Sequence, residues 1–209
     1  MIKKHRNDYY YKKAKIDKFK SRAAYKLLEL NKNFKILKNA KVIIDLCCAP
    51  GSWIQVLKRK LSEEEGLSII AVDLVDIDLH DDCIKFIRGD ITKETIISQL
   101  QKELPRAADL VIADCSPKLI GAKDTDHARQ IYLAQSSLNI ANHCLRVGGN
   151  FLTKVFQGDM LDEFKEDILK FFHSYRIYKP KASPKKSRED YLLAFGLKAR
   201  QMIKENNEN

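Results

Sequence analysis

Four aspartates stand at or just beyond the ends of short apolar segments. Asp45, Asp73, Asp90 and Asp114 each close such a segment, and the segments have the length and apolar content of buried strands. In an open parallel sheet, ligands bind beyond the carboxyl ends of the strands, so these carboxylates are expected to share one edge. An aspartate there can instead cap the following helix. Four in equivalent positions favour a ligand site, in which Asp73 would hold two ribose hydroxyls, Asp90 an adenine amino group, and Asp114 would face the reaction zone.

The loop DLCCAPGSW, Asp45 to Trp53, indicates which ligand this edge would bind. Pro50 and Gly51 allow a close backbone approach ahead of a helix. The chain has no G-x-G-x-x-G pattern for phosphates, and its acids would repel a pyrophosphate. A cationic nucleoside without phosphates suits the site better. S-adenosylmethionine has a sulfonium, an amino-acid head and an adenosine, and it is therefore the predicted cofactor.

Lys154 lies within FLTKVF, a segment that is otherwise mostly apolar. The two-residue period of a strand puts it on one face with Leu152 and Phe156, where an ammonium is costly unless it is paired or used. Burial and a second nearby cation would both lower its pKa from about 10.4, as a lysine base requires. The alternative is a lysine that reaches solvent at a strand edge. Pattern alone does not distinguish Lys26 or Glu189 from ordinary surface residues.

Alternating strands and helices would position these residues. Apolar segments typical of buried strands are separated by helical patterns, which predicts an α/β fold with a doubly wound, mostly parallel sheet and helices on both faces. The predicted strands are 42–46, 67–72, 84–87, 110–113, 151–156, 175–178 and 191–197. Predicted helices begin near Ser21 and Trp53 and span about 126–146 and 160–172, and the longest of them is expected to stop at Gly148-Gly149.

Positive charge is concentrated at the two ends of the chain. The 209 residues carry a formal charge of +10; residues 1–26 hold 10 Lys or Arg against 2 Asp, and residues 179–200 hold 7 against 2 acids. With aromatic residues interleaved near the N-terminus, this pattern indicates a polyanion partner, and RNA is the first candidate. A solvated lysine-rich surface would look the same. We divide the chain into a basic N-terminal arm (1–20), a folded domain (21–200) and a polar tail (201–209).

Several protein classes are disfavoured. No apolar run approaches the roughly 20 residues of a bilayer span, and no apolar stretch follows the first positive charges, so we expect a cytoplasmic protein without membrane contact. The five cysteines show no C-x-x-C spacing, so reduced thiols are expected rather than disulfides or structural zinc. His127 and His143 lack partners at metal-ligand spacing, and no metal is predicted.

These motifs resemble the FtsJ/RrmJ (RlmE) family of RNA ribose 2′-O-methyltransferases. The resemblance is carried by SRAAYKLLEL, DLCCAPGSW, DLVIADCSP, GGNFLTKVFQG and KPKASPKKSREDYLLA, and it covers nearly all of the chain after about residue 9. It implies the class I methyltransferase fold, a Rossmann-like sheet whose last strand is antiparallel to the rest. It also implies a catalytic set of Lys26, Asp114, Lys154 and Glu189, and cofactor contacts from Gly51, Trp53, Asp73, Asp90 and Asp114. The first loop departs from the family, because Cys47 and Cys48 replace frequent Gly or Ala and Ser52 replaces a frequent Gly.

The resemblance implies methyl transfer from S-adenosylmethionine to a ribose 2′-hydroxyl by in-line displacement. Because a sulfonium is a good leaving group, the protein must chiefly orient the hydroxyl and accept its proton. We expect neutral Lys154 to be the base and Lys26 to lower its pKa and steer the RNA backbone. Asp114 and Glu189 would hold the lysines and the hydroxyl in line. If these carboxylates keep Lys154 protonated, it instead orients the hydroxyl and water takes the proton.

The favoured substrate is a uridine in large-subunit ribosomal RNA, because the compact length and the VFQG segment look more like the ribosomal branch of the family than its branch acting on the tRNA anticodon loop. Base methylation is disfavoured: Asp114 to Pro117 resembles an Asp-Pro-Pro-Tyr loop, but Lys118 stands near the place of the stacking aromatic ring. Cys115 likewise lacks the preceding proline usual for a cytosine C5 nucleophile. A non-catalytic ribosome-assembly factor remains an alternative of another class, against which the complete catalytic set argues.

Overall fold

The computed structural model describes residues 9–79, 81–184 and 186–199. Its strands are β1 (Val42–Leu46), β2 (Ser68–Asp73), β3 (Ile84–Arg88), β4 (Ala108–Ala113), β5 (Leu145–Phe156), β6 (Phe172–Tyr178) and β7 (Glu189–Leu197). Its helices are α1 (Tyr9–Ile16), α2 (Ala23–Phe34), α3 (Ser52–Leu61), α4 (Thr95–Glu103), α5 (Lys123–Cys144) and α6 (Leu161–Phe171).

The strands form one sheet in the order β3-β2-β1-β4-β5-β7-β6. Every neighbouring pair is parallel except the pairs made by β7, which lies between β5 and β6 and is antiparallel to both. The predicted α/β class, the doubly wound sheet and the antiparallel last strand are confirmed. The strand order reverses between β1 and β4, and ligands bind at such a reversal in open α/β sheets.

Helices cover both faces of the sheet, and successive strand residues alternate between two cores. Ile43 of β1 packs in a core with α2 and α3, whereas Ile44 packs in a core with α4, α5 and α6. Both side chains are fully buried. Burial on two faces explains why the parallel strands are continuous apolar runs in the sequence. The two cores fix the strand ends from which the site is built.

The start of β5 differs from the prediction. The long helix ends at Cys144 rather than Arg146, and β5 begins at once, so the Gly148-Gly149 pair lies inside the strand. The pairing of β4 with β5 shifts register between Ala108 and Leu110. A Cβ at Gly149 would lie 2.9 Å from the Arg146 backbone oxygen, and Gly148 has a φ of +79°. The glycines are therefore needed for an irregular strand and do not serve to stop a helix.

Helix α1 belongs to the predicted basic arm and packs on the rest of the fold. Ala14 is buried in a small cluster with Tyr25 of α2 and Ala182. The rings of Tyr10 and Phe19 also contact the Tyr25 ring, with centroid distances of 5.4 and 5.6 Å. Residues 1–8 and the predicted tail lie outside the described residues, and the division into arm, domain and tail stays a prediction.

Candidate active site

The carboxyl ends of β1, β2 and β4 open into one cleft. It consists of two cavities of about 150 and 350 Å³ that share Cys47, Ala49 and Asp114, and the larger volume lies within the range of small-molecule sites. Asp45 lines the first cavity, and Asp73 and Asp90 line the second. The structure thus brings the four aspartates of the sequence pattern to one edge of the sheet, with Asp114 common to both cavities.

Asp73 and Asp90 are oriented by backbone hydrogen bonds. Asp73 accepts from the amides of Ala49 at 2.8 Å and Val75 at 3.0 Å. Asp90 accepts at one oxygen from both the amide and the hydroxyl of Thr92, at 2.9 and 2.8 Å, and these bonds lower its pKa. These are turn and loop contacts rather than helix caps, because β3 follows Asp73 and the residue that precedes α4 is Glu94. The bonds to Thr92 leave Asp90 ionised and held in place as an acceptor beside the second cavity.

Asp45 lies within β1 rather than beyond it, and it is almost fully buried. Within the described part of the chain, neither of its side-chain oxygens has a hydrogen-bond partner. Burial raises its pKa well above the ordinary value, and the nearby charges of Asp114 and Asp73 raise it further. Buried polar groups normally have partners, so a partnerless carboxyl lining a cavity fits a ligand that supplies a donor or a positive charge. This fits S-adenosylmethionine, and Asp45 was absent from the predicted contacts.

Gly51 and Trp53 shape the loop beside the first cavity. Gly51 has a φ of +98°, which favours glycine, and a Cβ there would lie 2.4 Å from Leu79 Cδ1. The indole Nε1 of Trp53 donates to the Ala23 backbone oxygen at 2.9 Å and so ties α3 to α2, while the ring lines the cavity. Both residues hold the shape of the loop. Their contact with a cofactor stays a prediction.

Replacing Gly51 by alanine will weaken cofactor binding about tenfold, because strain at the left-handed backbone and the clash with Leu79 will shift Pro50 and Ser52, which line the first cavity. The control is Gly66→Ala, since Gly66 also has a positive φ, +77°, but faces open space. Both variants should lose about 1–2 kcal/mol of stability from backbone strain. Calorimetric titration with S-adenosylmethionine measures the cofactor affinity of each variant, which should fall only in Gly51→Ala. Equal affinities in the two variants would contradict a role for the Gly51 loop in binding.

Two lysines and two carboxylates form a buried cluster adjoining the cleft. Lys154 Nζ lies 2.6 Å from Asp114 Oδ1 and 3.7 Å from Glu189 Oε2, and it donates to the Asp114 backbone oxygen at 3.0 Å. Lys26 Nζ lies 2.6 Å from Glu189 Oε1. The residues come from α2, the end of β4, β5 and β7. The four predicted catalytic residues therefore meet in a row of alternating charge, Lys26–Glu189–Lys154–Asp114, which we call the tetrad.

The charges of the tetrad stabilise one another. Burial opposes the ammonium of Lys154, but Asp114 and Glu189 outweigh this effect and raise its pKa above 10.5. Burial likewise opposes ionisation of both carboxylates, yet Lys154 and Lys26 lower their pKa values. The expectation of a lowered Lys154 pKa is therefore wrong for the protein without its ligands. The sequence-based alternative, a protonated lysine that orients the hydroxyl, agrees with this electrostatic balance.

Tyr191 is a buried member of this cluster that the sequence pattern did not single out. Its hydroxyl donates to Asp114 Oδ1 at 2.6 Å, and Lys26 Nζ lies 5.5 Å from its ring centroid. Tyr191 pairs with Lys154 across β5 and β7. The available signal was strand alternation, since Tyr191 lies two residues after Glu189 and so projects from the same face. Tyr191 helps to hold the Asp114 carboxylate in one orientation.

A disulfide joins Cys47 to Cys115 in the cleft. The expectation of reduced thiols is wrong for this pair, whereas Cys48, Cys83 and Cys144 keep thiols. The cause is tertiary, because β1 and β4 are parallel neighbours and the residues that follow their paired ends, Leu46 and Ala113, lie close together. The Cα atoms of the two cysteines are 5.0 Å apart, although 68 positions separate them in sequence. The bond connects the loop of the first cavity to the residue that follows Asp114.

Reduction of this disulfide will lower the free energy of unfolding by about 2–4 kcal/mol, because the bond closes a long loop in the unfolded chain. Urea unfolding with and without a phosphine reductant measures the difference, and Cys115→Ser should remove it. Alkylation of the denatured, unreduced protein should label three cysteines and, after reduction, five. Five labelled cysteines before reduction would contradict the assignment.

The two histidines of α5 have partners within the fold. His127 is buried and accepts from the Met160 amide at 3.1 Å, and the His143 ring contacts the Asn139 backbone oxygen at 2.9 Å. Over residues 9–79, 81–184 and 186–199, no group of three His, Cys, Asp or Glu side chains could hold a metal ion. In the same ranges no helix is long and apolar enough to cross a membrane.

Comparison with known proteins gives consistent matches over most of the chain. A family model described as FtsJ-like methyltransferase matches residues 19–197. Ribosomal RNA large subunit methyltransferase E of Methanothrix thermoacetophila is 44% identical over 186 residues, which cover 89% of this chain and 71% of that protein. The protein of the same name from Pseudomonas fluorescens is 36% identical over 200 residues, which cover 95% and 94%.

Solved structures agree. The crystal structure of a Plasmodium falciparum protein assigned as a ribosomal RNA methyltransferase matches with a TM-score of 0.76 and 28% identity, over 87% of this chain and 100% of that one. Human methyltransferase-like protein 13, with a TM-score of 0.55 and 15% identity over 87% and 81% of the two chains, shares the fold. The family match includes both the cleft and the tetrad. On this evidence, the chain belongs to the FtsJ-like methyltransferase family.

Proposed function

We propose that this protein transfers a methyl group from S-adenosylmethionine to a ribose 2′-hydroxyl of large-subunit ribosomal RNA in the cytoplasm, with uridine as the nucleotide. The observation that carries the proposal is the position of Asp114, which lines both cavities of the cleft and also pairs with Lys154 at 2.6 Å. One carboxylate thus joins a site for a cationic nucleoside to a buried lysine. The names of the two relatives above support ribosomal RNA as the substrate.

The side chains of the cleft suit the three parts of S-adenosylmethionine, which supplies a methyl group on a positively charged sulfur. Asp73 would accept from the ribose hydroxyls, and Asp90 from the adenine amino group. Asp45 would face the positively charged end of the cofactor, which offers the partner that its buried oxygens lack. Repulsion among the acids of the cleft is relieved when a cation binds.

The tetrad would hold the ribose hydroxyl in line with the methyl group. Lys154 is an ammonium in the resting protein, so its Nζ donates to the 2′-oxygen and stabilises the negative charge that develops there. Glu189 and Asp114 hold that ammonium from two sides, and Lys26 balances the charge of Glu189. Because both carboxylates have lowered pKa values, they are weak bases, and the hydroxyl proton leaves to water.

Transfer of labelled methyl groups tests the proposal. Undermethylated large ribosomal subunits and unmodified total tRNA are incubated separately with labelled S-adenosylmethionine. Label at a ribose 2′-oxygen of large-subunit RNA, mapped to a uridine, is the expected result. Label only in the tRNA anticodon loop would replace the proposed substrate. Measurable cofactor binding with label in neither RNA would overturn catalysis in favour of a role in assembly.

A further inference from the structure

Exposed lysines of two separate segments border the tetrad. One segment is α1 with the turn that follows it, and the other is the connection between β6 and β7, residues 179–188. We call these lysines the basic rim. Its exposed members are Lys12, Lys15, Lys18 and Lys20 on the first segment, and Lys179, Lys181 and Lys186 on the second.

The acids near the rim are engaged in contacts with the protein itself. Residues 179–188 contain no Asp or Glu, and the single acid of residues 9–20 is Asp17. Asp17 accepts from the Tyr25 hydroxyl at 2.6 Å. Glu29 of α2 accepts from the Tyr178 hydroxyl at 2.6 Å and from the Lys181 amide at 2.9 Å. These carboxylates fasten the segments to the fold, so the charge presented to solvent by the two segments is positive.

The two halves of the rim meet beside the tetrad. Tyr25 and Ala182 are buried together in the small cluster that also receives α1. The next residue in each case belongs to the site: Lys26 follows Tyr25, and Ser183 follows Ala182. The Ser183 hydroxyl donates to Glu189 Oε1 at 2.7 Å, the same oxygen that Lys26 contacts. The rim is therefore continuous with the cluster that would receive the ribose.

We propose that the basic rim is the surface that holds the RNA backbone on both sides of the target nucleotide. Several exposed ammonium groups whose neighbouring acids are already hydrogen-bonded within the protein match the charge of a phosphodiester chain. The tetrad lies where the two halves join. An RNA strand bound by both halves would therefore place a ribose beside Lys154. This inference rests on the proposed function, because it assumes that the substrate of the tetrad is RNA.

Two double variants test the rim: Lys181→Ala with Lys186→Ala, and Lys12→Ala with Lys15→Ala. The dissociation constant of transcribed large-subunit ribosomal RNA is measured from 50 to 400 mM salt. Each contact with a single-stranded phosphate contributes about 0.7 to the slope of log affinity against log salt. Each double variant should therefore flatten the slope by about 1.4 and weaken binding at least about tenfold at low salt.

The control is Lys38→Ala with Lys102→Ala. Both lysines are exposed, and they come shortly before β1 and β4, toward the amino ends of the strands and away from the tetrad. The control therefore removes the same charge from a different surface. It should keep the wild-type slope, and all three variants should keep the wild-type affinity for S-adenosylmethionine, which reports correct folding. Equal salt slopes in the test and control variants would contradict the proposed role of the rim in RNA binding and would leave the proposed activity unaffected. Loss of slope in the test variants alone supports the rim even if the wild type transfers no methyl group to this RNA.

Discussion

Replacing Lys154 by methionine will lower kcat for methyl transfer by about 10²- to 10⁴-fold, with little change in affinity for S-adenosylmethionine. Methionine fills a similar volume but has no donor for the 2′-oxygen. Single-turnover transfer measures the chemical step, and calorimetric titration of the cofactor checks that the cleft is formed. Lys102→Met, which changes an exposed lysine of α4, is the control. Wild-type rates in Lys154→Met would remove this residue from the mechanism.

The pH profile distinguishes the two roles of Lys154. Asp114 and Glu189 raise its pKa against the opposing effect of burial, so the ammonium persists above pH 10.5 in the free protein. The ionic contribution to stability is therefore complete at neutral pH and is lost only as pH rises through the raised pKa. An orienting ammonium predicts no loss of single-turnover rate below that pH. A neutral base instead predicts that the rate depends on titration of Lys154, so a rate limited by the neutral fraction at pH 7–9 would contradict the orienting role.

Replacing Asp45 by asparagine will weaken cofactor binding about 10- to 100-fold, which is the value of a hydrogen bond to a charged group. Without cofactor, the free energy of unfolding of Asp45→Asn should increase relative to that of the wild type as pH rises. An acid with a raised pKa in the folded state retains a proton that the unfolded chain releases, so stability falls with increasing pH above the unfolded value of 3.8. The fall is at most about 1.4 kcal/mol per pH unit. Urea unfolding at pH 5, 7 and 9 measures it.

Asp109 provides the contrasting control. It is also buried, but it accepts from the Val42 amide at 2.9 Å and from Arg106 and Arg146 at 2.7 Å each. Although burial opposes its ionisation, these hydrogen bonds lower its pKa. Asp109→Asn should therefore destabilise the protein and leave cofactor affinity unchanged, the reverse of Asp45→Asn. If both variants lose stability equally at pH 9, the partnerless state of Asp45 has no functional meaning.

The fold could be predicted because its signals are local. Buried parallel strands are continuous apolar runs, and the polar residues at their ends are read directly from the sequence. The family resemblance added the antiparallel last strand and identified Lys26 and Glu189, which pattern alone left among surface residues. The end of the long helix was misplaced because a glycine pair can end a helix or bend a strand, and only pairing with β4 decides between them.

The remaining parts of the site depend on contacts between elements distant in the chain. Cys47 and Cys115 meet because β1 and β4 are neighbours, which their spacing in the sequence cannot show. The raised pKa of Lys154 follows from how closely Asp114 and Glu189 approach it, and no pattern supplies such distances. Asp45 was read as one acid among four, since the absence of a hydrogen-bond partner is a property of packing.

The position of β7 governs when activity can arise during synthesis. The chain emerges from the ribosome with β5 and β6 before β7, yet β7 occupies the place between them. Glu189 and Tyr191 arrive only with this strand, so a nascent chain holds Lys26, Asp114 and Lys154 without the residues that complete their arrangement. Insertion of the final strand joins the sheet and the tetrad in one event. If the tetrad is catalytic, as proposed, we expect the nascent protein to be inactive until its last strand has been made.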